Sequence, residues 1–231
     1  MKSLEPIGKK EKLYVKIAQQ INNAIESDMY KPGDKLPTER ELASQLNVSR
    51  ASIREALAVL EIMNVIDVKV GDGSYVKQRT SNFQFETKDS SVFELIEVRM
   101  YIESVIVKLA IERATEQNIK AIEATNEGLR QTIKNQERID DFFRYGVAFH
   151  KKLAEATQND VLIQIANSLF EQDAHPLWRH LNMKVLLSYE AREHQLHEHE
   201  GILAAIKTKD QKKAEELMKH HIEHLKNMFY E

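Results

Sequence analysis

The sequence contains no cysteine among its 231 residues. That excludes disulfide scaffolds, cysteine-based zinc fingers, iron–sulfur ligation and thiol catalysis, and it fits a reducing, cytoplasmic location. Long apolar runs are missing as well. Nothing approaches the ~18–20 residues of a membrane span, so no membrane partner is expected. The opening segment, Met1 to Tyr14, lacks the apolar stretch of a signal peptide. Proline and glycine are scarce, 4 and 7 residues, and unevenly spread. Pro6, Pro32, Pro37, Gly8, Gly33, Gly71 and Gly73 lie early, whereas everything after Gly73 holds only Pro176, Gly128, Gly146 and Gly201. So few breakers over that length predict long helices.

Charge and histidine divide the chain in the same place. The net charge is −3, too small to mark a protein that is basic throughout. Residues 1–79 carry 13 Lys+Arg against 11 Asp+Glu, and residues 80–231 carry 20 against 25. All nine histidines lie at or beyond His150. Two domains are expected, 1–79 and 91–231, joined by a linker at 80–90. The overall class is mainly α.

In the first domain Leu13, Ile17, Ile21 and Ile25 recur at helical spacing. Lys31–Pro37 is a turn. Thr38 and Glu41 form a capping box that opens a second helix through Leu46. Asn47 tolerates the left-handed conformation of a tight turn. Ser49 caps a third helix, from Arg50 to about Met63. Ile66, Val68 and Val70 alternate with polar residues; Gly71-Asp72-Gly73 turns the chain, and Ser74–Lys77 returns as a strand. Three helices and a hairpin predict a winged helix-turn-helix. In the third helix Ile53, Ala56, Leu57 and Leu60 form the buried stripe, with Arg50, Ser52 and Arg54 off it and free to project. Such an end can enter a major groove, where Arg bonds guanine edges and Ser or backbone N–H groups bond phosphates.

The remainder reads as an all-α bundle. Leu95, Val98, Ile102, Val105, Ile106 and Leu109 stripe a long helix that opens at a capping box, Ser91 to Glu94, and Arg99 lies inside that stripe. Further helices are predicted over about 116–135, 140–157, 160 to near Pro176, a short one to Leu187, 189–207 and 212–229. His150, between Val147 and Leu153, falls on an apolar stripe. So do His199, before Ile202 and Ile206, and His221, between Leu217 and Leu225. His220, His194 and His197 fall on polar faces, His224 is intermediate, and His175 and His180 flank Pro176. Three histidines from separate helices thus aim inward, and converging neutral imidazoles are the usual means of binding Zn or Ni. Arg99, among apolar neighbours, needs an anionic partner; Glu103 or an effector carboxylate would serve.

The segment PGDKLPTERELASQLNVSRASIREALAVLEIMNVIDVKVGDGSYV, Pro32 to Val76, closely resembles the DNA-binding domain of GntR-family bacterial transcription regulators. Glu97-Val98-Arg99, Glu103, Phe149-His150, Asn159, His199, Asp210 and His221-Ile222 extend the likeness to the FadR-type branch with an all-α (FCD) effector domain. The resemblance implies DNA contacts at Arg40, Ser49, Arg50, Ser52, Arg54 and Gly71, and an effector site at Arg99, His150, His199 and His221. It also implies a metal held by those three histidines and an Asp one turn before the first. That position is Gly146, so the carboxylate is missing, and Asp140, Asp141 or Glu103 would have to replace it.

The function expected is a ligand-responsive regulator, a repressor in the simplest case. It would bind a palindromic operator as a homodimer and sense a small organic acid or sugar acid. The competing reading is a three-His metallohydrolase carrying a DNA-binding domain. Against it, no general base stands at a defined spacing from the histidines.

Overall fold

The computed structural model describes residues 12–69, 71–80, 91–170 and 176–229. The chain divides between Ser91 and Val92 into two compact units. Val70, most of the expected linker at 80–90 and His175 lie outside the described residues.

The first unit holds α1 (Leu13–Glu26), α2 (Glu39–Leu46), α3 (Arg50–Ile62), β1 (Ile66–Lys69) and β2 (Gly73–Val76). Each boundary has a local cause. Thr38 and Glu41 close a reciprocal capping box on α2, and Asn47 ends that helix in the left-handed conformation. Ser49 Oγ accepts from the backbone N–H of Ser52, capping α3. β1 and β2 pair antiparallel, Ile66 opposite Val76, and Gly71 turns between them at positive φ. Ile17, Ile21 and Ile25 of α1 pack against the Ile53, Ala56, Leu57 and Leu60 face of α3, all buried. Burial of such a side chain contributes roughly 1.5–3 kcal/mol. Leu13, expected on that face, is exposed at the first turn. The winged helix-turn-helix is therefore the observed fold of this unit.

The second unit is all α: α4 (Val92–Arg113), α5 (Glu116–Thr132), α6 (Ile139–Ala156), α7 (Asp160–Phe170), α8 (Pro176–Leu186), α9 (Tyr189–Lys207) and α10 (Gln211–Met228), with one 3₁₀ turn at Gln136–Arg138. α4, α6, α9 and α10 surround a common interior, α4 packing on each of the other three. Gly128 lets α5 and α6 approach closely; a Cβ there would meet the Tyr145 ring at 2.4 Å. Arg192 is buried, and its guanidinium donates to the carbonyls of Ile133, Leu186 and Leu187, satisfying acceptors at the ends of α5 and α8.

The α4 stripe differs from expectation. Leu95 and Ile106 are buried, but the inward face continues through Ile96, Arg99, Glu103, Val107 and Ala110. Val98 and Val105, each 46% exposed, point away with Tyr101 at 68%. This helix is apolar around most of its circumference, so periodicity could not choose the face. What decided it was the pairing of Arg99 with Glu103, which takes both charges inside together.

Candidate functional site

The four inner helices bring the predicted residues to one place. Arg99 comes from α4, His150 from α6, His199 from α9 and His221 from α10, and all four are buried. His221 Nε2 lies 3.3 Å from His150 Nε2 and 3.4 Å from His199 Nε2. One ligand atom from each ring falls within 4.8 Å of the others. Phe149 stacks on His199 with centroids 3.9 Å apart, fixing that ring's plane.

Carboxylates stand behind two of the rings. His221 Nδ1 donates to Glu198 Oε2 at 2.7 Å. Glu103 Oε2 contacts His150 Nδ1, although the pair lacks the alignment of a hydrogen bond. Burial pushes the His150 imidazolium down to about 4 against the pull of Glu103. Burial likewise holds His199 well below the ordinary histidine range, with repulsion from His221 and His150 added. Burial alone would raise Glu103, but Arg99 and His150 hold it at about 2. Glu198 is also lowered, because its bonds to His221 and His224 outweigh burial.

The donor set suits a cation. With Nδ1 bonded to Glu198, His221 turns Nε2 toward the Nε2 atoms of His150 and His199, 3.3 and 3.4 Å away. A proton shared between two rings, or a cation among all three, satisfies nitrogens placed this way. Three converging imidazoles, two of them with a carboxylate behind the ring, are what zinc or nickel selects. The fourth position is altered. A Cβ at Gly146 would lie 2.6 Å from Gln195 Nε2, so the Gln195 amide occupies the space where the missing Asp side chain would begin. Asp140 and Asp141, proposed as substitutes, instead pair with Arg179 and with Arg138 and Arg144.

Arg99 borders the same cavity as His150, His221, Gln195 and Glu198. Its Nε donates to Glu103 Oε1 at 2.6 Å, and its guanidinium lies 5.1 Å from the Phe170 ring centroid and 5.2 Å from that of Trp178. Among the described residues, its two terminal nitrogens have no hydrogen-bond acceptor. The cavity encloses about 40 Å³, room for a few water-sized groups. Val147, expected in the core, is only half-buried because it lines this space.

In the winged unit Arg40, Ser49, Arg50 and Gly71 are exposed, and Ser52 is half-buried. Arg54 departs from expectation. Its side chain is 13% exposed and pairs with Glu39 of α2, which Arg50 also approaches at 3.7 Å. Arg54 is thus held against α2 rather than projecting freely. At the wing, Asp72 accepts from Lys35 Nζ at 3.1 Å and from Tyr75 Oη at 3.0 Å.

Glu198, Gln195 and Glu39 were missed in the sequence. Glu198 stands between two histidines in His197-Glu198-His199, a usable signal had the inward face of α9 been clearer. Gln195 and Glu39 carry no spacing signal.

Comparisons with known proteins agree with the fold of both units. Residues 13–76 match the bacterial regulatory proteins of the gntR family, and residues 94–224 match the FCD domain. The chain is 31% identical to the Uxu operon regulator of Haemophilus influenzae over 94% of its length and 82% of that protein. It is 32% identical to the Exu regulon transcriptional regulator of Escherichia coli over 97% and 87%. Escherichia coli McbR/YncC shares the fold, with TM-score 0.51 and 21% identity over 96% of this chain and 98% of that one. No described helix is long and apolar enough to cross a membrane. With a winged helix-turn-helix followed by an FCD domain, and with relatives that regulate transcription rather than catalyse reactions, the chain belongs to the GntR family of bacterial transcription regulators.

Proposed function

We propose that this regulator is a homodimeric, cytoplasmic repressor whose helical domain senses a small organic acid or sugar acid. One observation carries the reading: Arg99 is 4% exposed and bonded to protein through Nε alone among the described residues, on the wall of a cavity that His150 and His221 also line. A guanidinium with its two terminal nitrogens uncommitted is built to grip a carboxylate through two parallel hydrogen bonds. The aromatic faces of Phe170 and Trp178 hold it in place. His150, His199 and His221 would hold a zinc or nickel ion through three protein ligands, and the ion would supply a Lewis-acidic point for an effector oxygen. The regulator names of the H. influenzae and E. coli relatives, Uxu and Exu, support a sugar-acid effector.

The cavity explains how binding is felt elsewhere. About 40 Å³ is small beside a sugar acid, and in this reading lining side chains from α8 and α10, such as Trp178, Leu225 and Met228, shift as the effector enters. A ligand that binds one arrangement better moves the equilibrium by that difference in affinity. In this reading residues 1–79 bind DNA, residues 91–231 bind the effector and dimerise, and 80–90 link them. Arg40, Ser49, Arg50, Ser52, Arg54 and Gly71 contact DNA. A palindromic operator needs two reading heads. Val98, Tyr101 and Val105 give α4 an exposed apolar stripe at helical spacing, and α7, which packs beside it, exposes Val161 and Ile165. Apolar stripes of this kind mark interaction surfaces, and the second head supplies the partner: another copy of this chain.

Mild denaturation of protein purified from its native host, followed by mass spectrometry, tests the pocket. Release of a stoichiometric organic acid, with or without zinc or nickel, is expected; release of neither an acid nor a metal would count against it.

A further inference from the structure

Glu198 serves two histidines at once. Its Oε2 accepts from His221 in the buried trio, and its Oε1 accepts from His224 Nδ1 at 2.6 Å. His224 is half-buried and belongs to a second group of imidazoles. His220 lies one turn earlier on α10, with ring centroids 6.1 Å apart and planes at 18°. His194 of α9 lies 5.5 Å from His224. His194 and His220 are exposed, and neither has a hydrogen-bond partner among the described residues.

From this arrangement we infer that His194, His220 and His224 form a second, surface site for a divalent transition-metal ion of the zinc, nickel or copper class. His220 and His224 stand four residues apart, the spacing that puts two side chains on one helical face. Nitrogen–metal bonds of about 2.0–2.1 Å around a tetrahedral ion set two ring centroids about 5 Å apart. The two separations from His224, 5.5 Å to His194 and 6.1 Å to His220, come within reach of that value by rotation of the two exposed rings. His224 is already prepared: with Nδ1 donating to Glu198 at 2.6 Å, its Nε2 is the nitrogen left to face a metal, and the carboxylate fixes the orientation of the ring. An exposed site with one preset ligand binds more weakly than the buried trio. Because one carboxylate supports both His221 and His224, occupancy of either site changes the support given to the other, and that coupling is reciprocal. Only this coupling depends on the trio holding a metal; the outer site does not.

Equilibrium dialysis of the full-length chain against Ni²⁺ or Zn²⁺ tests the inference. Wild type should show a weaker class of site beside any tight one. The double variant His194→Ala, His220→Ala, both at exposed positions, should lose that class, its affinity falling at least tenfold, and keep the tight one. A protein showing only the weaker class, and losing it in the variant, supports the outer site and counts against the buried trio. Identical binding curves for wild type and variant would overturn the outer site.

Discussion

Gln195 fills the space left by Gly146: a Cβ built on that glycine would stand 2.6 Å from the Gln195 amide nitrogen. The absent carboxylate has therefore not left a simple vacancy. In Gly146→Asp, the end of a flexible side chain must move before the new carboxylate can reach the histidines. Gly146→Asp should tighten Zn or Ni binding modestly, and combined with Gln195→Ala it should tighten it further, by about tenfold or more, since ligand-shell changes of this kind move affinity about 10–100-fold. Chelator-competition titration separates the two variants. Equal affinity in wild type and the double variant would show that position 146 does not border the metal.

Recognition of DNA should rest on the start of α3. Arg50→Ala or Arg54→Ala is expected to weaken operator binding by roughly 1–3 kcal/mol, with relaxed sequence preference where the residue reads a base. The contact between Arg54 and Glu39 adds a second expectation. Glu39→Gln removes the ion pair with Arg54 and should change sequence preference more than overall affinity. Selection of binding sites from random duplexes, at fixed salt, measures both. Operator binding that survives loss of both arginines would contradict the assignment.

The exposed face of α4 should hold the dimer together. Val98→Glu with Val105→Glu alters side chains that are half-exposed in the single chain. Folding of each subunit should survive, and sedimentation should shift from dimer to monomer at micromolar concentration. A dimer that persists would place the interface elsewhere.

Glu103 should matter for stability out of proportion to its size. It lies against both Arg99 and His150 in the interior. Glu103→Ala leaves a buried charge unpaired, which costs about 3–5 kcal/mol, and urea unfolding should show it. The pH dependence has a definite sign. Glu103, held at about 2, contributes stability that is complete above its unfolded value of about 4.5 and fades as pH falls towards 2. His150 is buried neutral with a value near 4, so unfolded chains take up its proton first. Chelated protein should accordingly lose stability as pH falls from about 6.5 to 4. A flat profile over that range would mean that His150 is already charged at neutral pH.

The N-terminal fold was legible almost residue by residue. Its boundaries are set by local chemistry: the Thr38–Glu41 box, the left-handed Asn47, the Ser49 cap and the Gly71 turn. The inward histidines were legible too: His150 and His221 interrupt clear apolar stripes on α6 and α10, and His199 falls on a fainter one on α9. α4 was not, since an apolar face on nearly every side leaves periodicity nothing to select. Nor were the partners of the site residues. Glu198 backs His221 from another helix, Gln195 fills a gap across from α6, and Glu39 reaches Arg54 from α2. Such pairings depend on how helices stand against each other, and no spacing within one helix records them.

The claim that a carboxylate held by Arg99 governs DNA binding is tested most directly by one measurement. Operator affinity of the full-length protein is followed by fluorescence anisotropy at fixed salt, with and without each of a panel of aldonic and uronic acids, for wild type and Arg99→Lys. Lysine keeps the charge but loses the two-pronged geometry. At least one acid should shift wild-type affinity by about 5–150-fold, the usual range for coupled sites, and the shift should collapse in Arg99→Lys while basal operator affinity stays close to wild type. An operator affinity that no acid moves, or one that moves equally in both proteins, would contradict it.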